Sequence, residues 1–285
     1  RAGCAGVGSV LLMVNGAGPG AYSPHEPGDA KTDRTSRLGL ELAPRLRRHK
    51  GLSAFYPLGN GVDALVARLA FIDIADVSID LQCYLFHSDN SGRLLIHHVL
   101  RAADRGVRVR ILLDDLDMNG RDEGLAGLAL HPRIDIRLFN PFPFRSMRYL
   151  NFLTHFGTVT RRMHNKSLII DGQVAVVGGR NVGDEYFEAA GGVNFGDMDV
   201  LSAGPIVSEI SGAFETYWKS DLARSLSSLG ASGDPALVDR ARFGLQTFAA
   251  EVTDSAYGLT LQESSLTAQL SAGGLSWFWA QARLL

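Results

Sequence analysis

Cysteine is scarce: Cys4 and Cys83 are the two in a chain of 285 residues. So few thiols exclude a disulfide framework and a cysteine metal cluster. Cys83 stands in an apolar run and is expected to be a core thiol. An excess of positive charge is also missing. Twenty-eight Lys and Arg face 30 Asp and Glu, a net charge of −2, which argues against a surface that coats nucleic acid but allows a local basic patch. The apolar stretch Val7 to Val14 is far too short to span a bilayer. It fits either the remnant of a signal sequence or a frayed, glycine-rich terminus. Ala2-Gly3-Cys4 resembles the small residues that precede a lipidated cysteine, although Arg1 stands where a leucine-like residue is expected. A start at Arg rather than Met is expected of a sequence without its natural beginning.

What is present is ordinary globular material, 46% hydrophobic and 20% charged, so disorder is not the default. The length allows one large domain or two smaller ones. Residues 1–50 are expected to be an N-terminal segment and linker, with Gly, Pro, Ser and Asp concentrated between 15 and 35. A short amphipathic helix from Leu38 ends in Arg45, Arg47, Arg48 and Lys50. That cluster suits either an anionic phospholipid surface or a solvated helix end.

From about residue 51 the hydrophobic period alternates between helical and extended. Asp63 to Ala75 has helical spacing. Val77 to Phe86 then alternates Ile79, Leu81, Cys83 and Leu85 against Asp80, Gln82, Tyr84 and Phe86. A helix over Gly92 to Arg105, closed by Gly106, leads to a strand over Val107 to Leu113. Asp122 to Ala129 and Ile134 to Phe139 repeat the unit, and Met198 to Ser202 precedes a helix opened by Pro205. Strand–helix repeats with short connections imply an α/β fold, a mixed β-sheet sandwiched between helices. This lobe is expected over residues 51–220. Residues 221–285 are expected to be a linker and the start of a second lobe, since the chain stops inside an apolar run.

The chemistry concentrates in Arg162 to Asn181. His164 and Lys166 open an apolar run, and alternation sends both side chains to one face. Asp171 marks the turn, and Gly178, Gly179 and Asn181 close the returning run as a polar, glycine-lined floor. An imidazole beside an ammonium suits attack on phosphorus. The ring can carry a covalent phosphoryl group while Lys166 and Asn181 neutralise the oxygens. No metal is required, because Lys166 supplies the cation, and no cofactor is implied. Gln82 and Tyr84 share a face at a strand end and either reach substrate or pack beneath the site. Asp114, Asp115 and Asp117 are expected to cap a helix or pair with Arg121, Arg180 to make a surface ion pair, and Glu185 to favour a helix N-terminus.

The pattern His-x-Lys-x4-Asp-x6-Gly-Gly-x-Asn, filled by His164, Lys166, Asp171, Gly178, Gly179 and Asn181, resembles the signature of the phospholipase D superfamily. The words Ser78 to Gln82, Gly106 to Asp115, Arg137 to Pro141, Gly179 to Phe187 and Asp197 to Val200 resemble its bacterial cardiolipin synthase branch, C type. The resemblance covers about residues 55 to 220. It implies a phosphatidyltransferase that makes cardiolipin from phospholipids, phosphatidylglycerol with or without phosphatidylethanolamine, at a bacterial cell membrane, peripherally or through a lipid anchor. His164 would attack the phosphodiester, and a downstream acid, Asp197 first and Asp199 second, would orient it. Asp171 would brace the motif, and a second motif would protonate the leaving alcohol.

Here the sequence departs from the family. No second His-x-Lys occurs: His49 precedes Lys50 directly, His131 precedes Pro-Arg and His155 precedes Phe-Gly. The missing half is expected either from a second lobe of the same chain or from a second copy in a homodimer. Two other readings stay open: a phosphodiesterase or nuclease using water, and an idle membrane-binding lobe. Phe142, Phe144, Met147, Tyr149, Leu150, Phe152 and Leu153, interleaved with Arg145 and Arg148, form an apolar loop suited to a lipid interface or to a core. That loop and the near-neutral charge speak against nucleic acid as partner.

Overall fold

A computed structural model describes residues 36–118, 122–144, 160–189, 193–229 and 235–284. The expectations for Cys4, for the stretch from 15 to 35, for Arg121 and for the loop beyond Phe144 lie outside these residues. In chain order the elements are α1 (Arg37–Arg48), β1 (Ser53–Leu58), α2 (Gly61–Ile74), β2 (Ser78–Cys83), α3 (Asn90–Asp104), β3 (Arg108–Asp114), α4 (Asp122–Ala129) and β4 (Ile134–Phe139). There follow β5 (Ser167–Ile170), β6 (Val174–Gly178), β7 (Asp199–Ala203), α5 (Pro205–Trp218), β8 (Ala223–Ser225), α6 (Pro235–Thr253), α7 (Ala256–Gln262), α8 (Ser265–Ser271) and β9 (Phe278–Ala280).

The strands form one nine-stranded sheet in the order β8-β4-β3-β2-β5-β6-β7-β1-β9. β2, β3 and β4 run parallel, as helical crossovers require, and the β5–β6 hairpin joins them antiparallel to β2. Alternation along the central strands feeds two cores. Ile79, Leu81, Val109, Ile111 and Ile136 meet α2 and α3 on one face. Leu112, Ile169 and Ala175 meet Ile206, Ile210, Phe214 and Trp218 of α5 on the other. The expected mixed sheet between helices is therefore the architecture found.

The arginine that interrupts the apolar run of β3 is buried and fully engaged. Register sets Arg110 opposite Asp80, and its guanidinium donates to both Asp80 oxygens at 2.6 and 2.7 Å while pairing with Glu215 of α5 at 2.6 Å. A charge taken out of water persists only when paired this completely. Gly106 ends α3 with a φ of 100°, the left-handed value glycine tolerates. β2 stops at Cys83, short of the expected Phe86, which frees Tyr84 and Leu85 from the ladder.

The described parts of both flanking segments pack on this lobe. Leu38 and Leu42 of α1 enter the same core as Ile79, as do Phe248 of α6 and Leu266 of α8. β8 extends the sheet beside β4, and β9 extends it beside β1. No helix of the described residues is long and apolar enough to cross a membrane.

Candidate active site

Register brings the chemistry together. Gln82, near the end of β2, lies opposite Ser167 at the start of β5. Tyr84, just past β2, and His164 and Lys166, just before β5, therefore meet at one edge of the sheet. His164 is exposed and Lys166 is buried beneath it. The Lys166 ammonium sits 3.1 Å from Nδ1 and 3.4 Å from Nε2 of the imidazole and donates to the His164 carbonyl at 2.7 Å. The Tyr84 ring lies against the imidazole, centroids 4.7 Å apart, and the ammonium is 5.5 Å from the centre of the same ring. Burial pushes the Lys166 pKa below the ordinary lysine range, opposed by the charges of Asp197 and Asp199. A buried ammonium whose neighbours are one carbonyl, the imidazole and the Tyr84 ring is a ready partner for an anion.

Asn181 is fixed against Leu85, the residue after Tyr84. The Leu85 N–H donates to Asn181 Oδ1 at 3.1 Å, which decides the orientation of the amide, and Nδ2 donates to the Tyr186 hydroxyl at 2.9 Å. Nδ2 carries two hydrogens, and the second has no partner among the described residues. The exchange of Val182 N–H to Leu85 O and His87 N–H to Val182 O stitches this segment to the end of β2.

Asp114 anchors the chain that leads into His164. Fully buried, it accepts from the Met163 N–H at 2.8 Å and pairs with Arg162 at 3.0 Å, while capping the turn at Leu116. Burial pushes its pKa up, against the pull of these donors. The expected cap is present; the hold on Met163, one residue before His164, is what the sequence did not disclose. An aspartate at the C-terminal end of a parallel strand was the available signal. Phe142, from the apolar loop, is buried and donates its N–H to Asp115, whereas Phe144 is exposed.

The remaining expected residues serve different places. Asp171 stands at the far end of β5, five residues or roughly 16 Å from Lys166 at strand rise. Its carboxylate accepts from the N–H groups of Asp76, Val77 and Ser78, so it braces the turn against the start of β2. Gln82 is buried below the pair, donating to Met163 Sδ at 3.0 Å and accepting from Ser167 at 3.4 Å. Asp199 is completely buried between Arg68, at 2.9 Å, and Arg180, at 3.6 Å. Asp197 is exposed, within electrostatic reach of Lys166. Neither acid hydrogen-bonds His164 among the described residues.

Gly178 and Gly179 matter for close approach. A Cβ on Gly178 would lie 2.5 Å from the Met198 oxygen and Asp199 Cα, and one on Gly179 would lie 2.1 Å from the Asp197 carboxylate. The bare backbone lets both acids sit against the end of β6. Two expectations are corrected. Arg180 is buried rather than on the surface, donating to the Leu58 and Gly59 carbonyls. Glu185 lies in a turn and pairs with His87 at 3.2 Å rather than heading a helix. His87, Asp89 and Glu185 also form a group whose ligand atoms converge closely enough to hold a cation, a grouping the scattered histidines did not suggest. Asp89 is already committed there, accepting from the N–H groups of Gly92 and Asp184.

The sequence profile of the family described as cardiolipin synthase, phospholipase D-like domain, matches residues 69–218. Cardiolipin synthase C of Escherichia coli strain K12 is 39% identical over 249 residues, 87% of this chain and 52% of that protein. Among solved structures, NucT from Helicobacter pylori aligns at a TM-score of 0.45 and 16% identity, covering 61% of this chain and 98% of its own. The phosphatidylserine synthase of Haemophilus influenzae Rd KW20 aligns at 0.47 and 10% identity, covering 75% and 48%. The chain spans about half the length, or less, of the curated relatives it matches.

Proposed function

The chain belongs to the family of cardiolipin synthase, phospholipase D-like domains, and from that membership we propose that it transfers phosphatidyl groups between phospholipids, with His164 as nucleophile. The carrying observation is the Lys166 ammonium, 3.1 Å from an exposed imidazole. A ring nitrogen of His164 attacks the phosphodiester phosphorus, and the bond to the leaving alcohol breaks as the N–P bond forms. Lys166 and the free amide hydrogen of Asn181 take the growing charge on the non-bridging oxygens. The departing alkoxide takes a proton from a second His–Lys lobe, in the same protein or a second copy. That lobe then deprotonates the incoming glycerol hydroxyl, which displaces His164 and completes cardiolipin.

Asp171, Gly178 and Gly179 support the motif's shape in this reading, and Asp197 is the acid that balances Lys166. A cavity of about 490 Å³ begins at Phe86 and His87, just past Tyr84, and continues along Ile96, Leu100, Ile111 and Leu128. Its hydrocarbon lining suits a substrate that carries acyl chains. No metal or cofactor enters the scheme.

The test is incubation with radiolabelled phosphatidylglycerol, with and without phosphatidylethanolamine, followed by lipid separation and trapping of labelled protein. Cardiolipin and an acid-labile phosphoprotein are expected, both lost in His164→Ala. Label retained by that variant overturns the nucleophile. Plasmid nicking without any lipid product overturns the substrate class and favours a nuclease.

A further inference from the structure

The basic end of α1 meets the C-terminal strand at a corner that the chemistry above does not use. Arg45, Arg48 and His49 form one wall of a cleft of about 380 Å³, and Leu275, Trp277 and Trp279 form the other. His49 stacks on Trp279, with centroids 4.0 Å apart and planes 13° from parallel. Phe278, between the two tryptophans, is 65% exposed, and Leu40 of α1 is 63% exposed. Arg45, Arg47, Arg48 and Lys50 have no carboxylate partner among the described residues. The corner lies on β9, the last strand of the sheet, beside the start of β1. Asp199 faces the other end of β1 at Leu58, five residues or roughly 17 Å away at strand rise, so the cleft is separate from His164.

Cations at the end of a helix are favoured by its dipole, which explains why arginines stand there. It does not explain unpaired cations beside half-buried indoles and an exposed phenyl ring. That combination, flexible positive heads with amphipathic rings that prefer the boundary between water and hydrocarbon, suits a lipid interface. A second copy of this chain is the poorer occupant. A two-fold contact would face the patch with itself and bring like charges together. A net charge of −2 for the whole chain makes the local excess more pronounced.

We propose that this corner is a docking surface for a bilayer rich in anionic phospholipid. The arginines and Lys50 meet the phosphates, and Trp277, Phe278 and Trp279 enter the headgroup layer. The surface is independent of which phosphodiester His164 attacks.

Flotation with vesicles of phosphatidylglycerol and phosphatidylcholine, against phosphatidylcholine alone, tests it. The chain is expected to float with the anionic vesicles only, and to be released as salt shortens the screening length. The double variant Arg45→Gln, Arg48→Gln is expected to lower partitioning roughly thirty-fold, two cations' worth of surface attraction, with an unchanged melting curve. Phe278→Ser, whose ring is exposed, gives a second reading that does not disturb the core. His164→Ala should bind as the parent does, which separates this result from failure of the chemistry. Equal flotation with neutral vesicles, or full binding by the charge variant, overturns the proposal. Binding of a single-stranded oligonucleotide without binding of vesicles overturns it in favour of nucleic acid.

Discussion

At the scale of single residues, Lys166 combines two opposed demands. The proposed transfer needs its charge beside His164, yet burial holds its pKa below the ordinary lysine value. The unfolded chain therefore binds more protons in the window between the lowered and the ordinary pKa. Stability rises with pH through that window, while the fraction of charged Lys166 falls. Replacing Lys166 with Met is expected to raise the denaturant midpoint at neutral pH and to flatten its dependence on alkaline pH. The same variant should lose on the order of 10²–10³-fold in transfer rate, the scale for removing one charge-stabilising donor. A midpoint below that of the parent at neutral pH would sink the argument that burial strains this group. His164, Lys166 and Asn181 were legible in the sequence because their spacing lies within one hairpin. Tyr84 on the imidazole and Asp114 beneath Met163 were not, because those contacts depend on how β2 and β3 are aligned with a segment far along the chain.

At the scale of elements, the β5–β6 hairpin is held from its turn and from its mouth. Asp171 adopts a φ of 53° and accepts three backbone N–H groups with its two carboxylate oxygens. Asparagine tolerates that φ almost as well, so Asp171→Asn isolates the hydrogen bonds. Its NH2 must face one of the three donors, and an unpaired buried N–H costs roughly 1–3 kcal/mol. We expect that loss in equilibrium unfolding, with the phosphoprotein yield of the folded fraction unchanged. An equal loss of labelling in fully folded protein would instead make Asp171 part of the chemistry. At the mouth, Gly178→Ala and Gly179→Ala should differ. The first methyl meets backbone at 2.5 Å, which cannot swing aside, while the second meets the exposed Asp197 side chain, which can. Gly178→Ala is expected to cost on the order of 3 kcal/mol, the upper range for overpacking, and Gly179→Ala clearly less. Equal costs would mean that Asp197 is as rigid as the backbone. The sequence marked both glycines as a floor to the site; the close approach of Asp197 and of Asp199 at the start of β7 is what the structure adds.

At the scale of the whole molecule, the sequence conveyed the central sheet and its helices because each has a clean period. It conveyed the outer parts poorly. β8 and β9 have three residues each, too few to show alternation, and their partners β4 and β1 lie far off in the chain. The composition around residue 230 gave no hint that α6 would cover α3 and α4. The same scale carries the question of the leaving group. The proposed site has a nucleophile and cations but draws its acid from a second lobe, and such an acid is worth roughly 10²–10⁴-fold when the leaving alcohol is basic. The deficit should shrink as the leaving group becomes able to depart as an anion. This chain alone is therefore expected to release p-nitrophenolate from a phosphatidyl p-nitrophenyl ester readily, with one equivalent of label on His164. Release of glycerol from phosphatidylglycerol should be slower by about that factor. Supplying a chain with the second His–Lys motif should speed glycerol release and leave nitrophenolate release nearly unchanged. If both leaving groups depart equally fast from this chain alone, a proton donor is already in place within it, and the half-site reading fails.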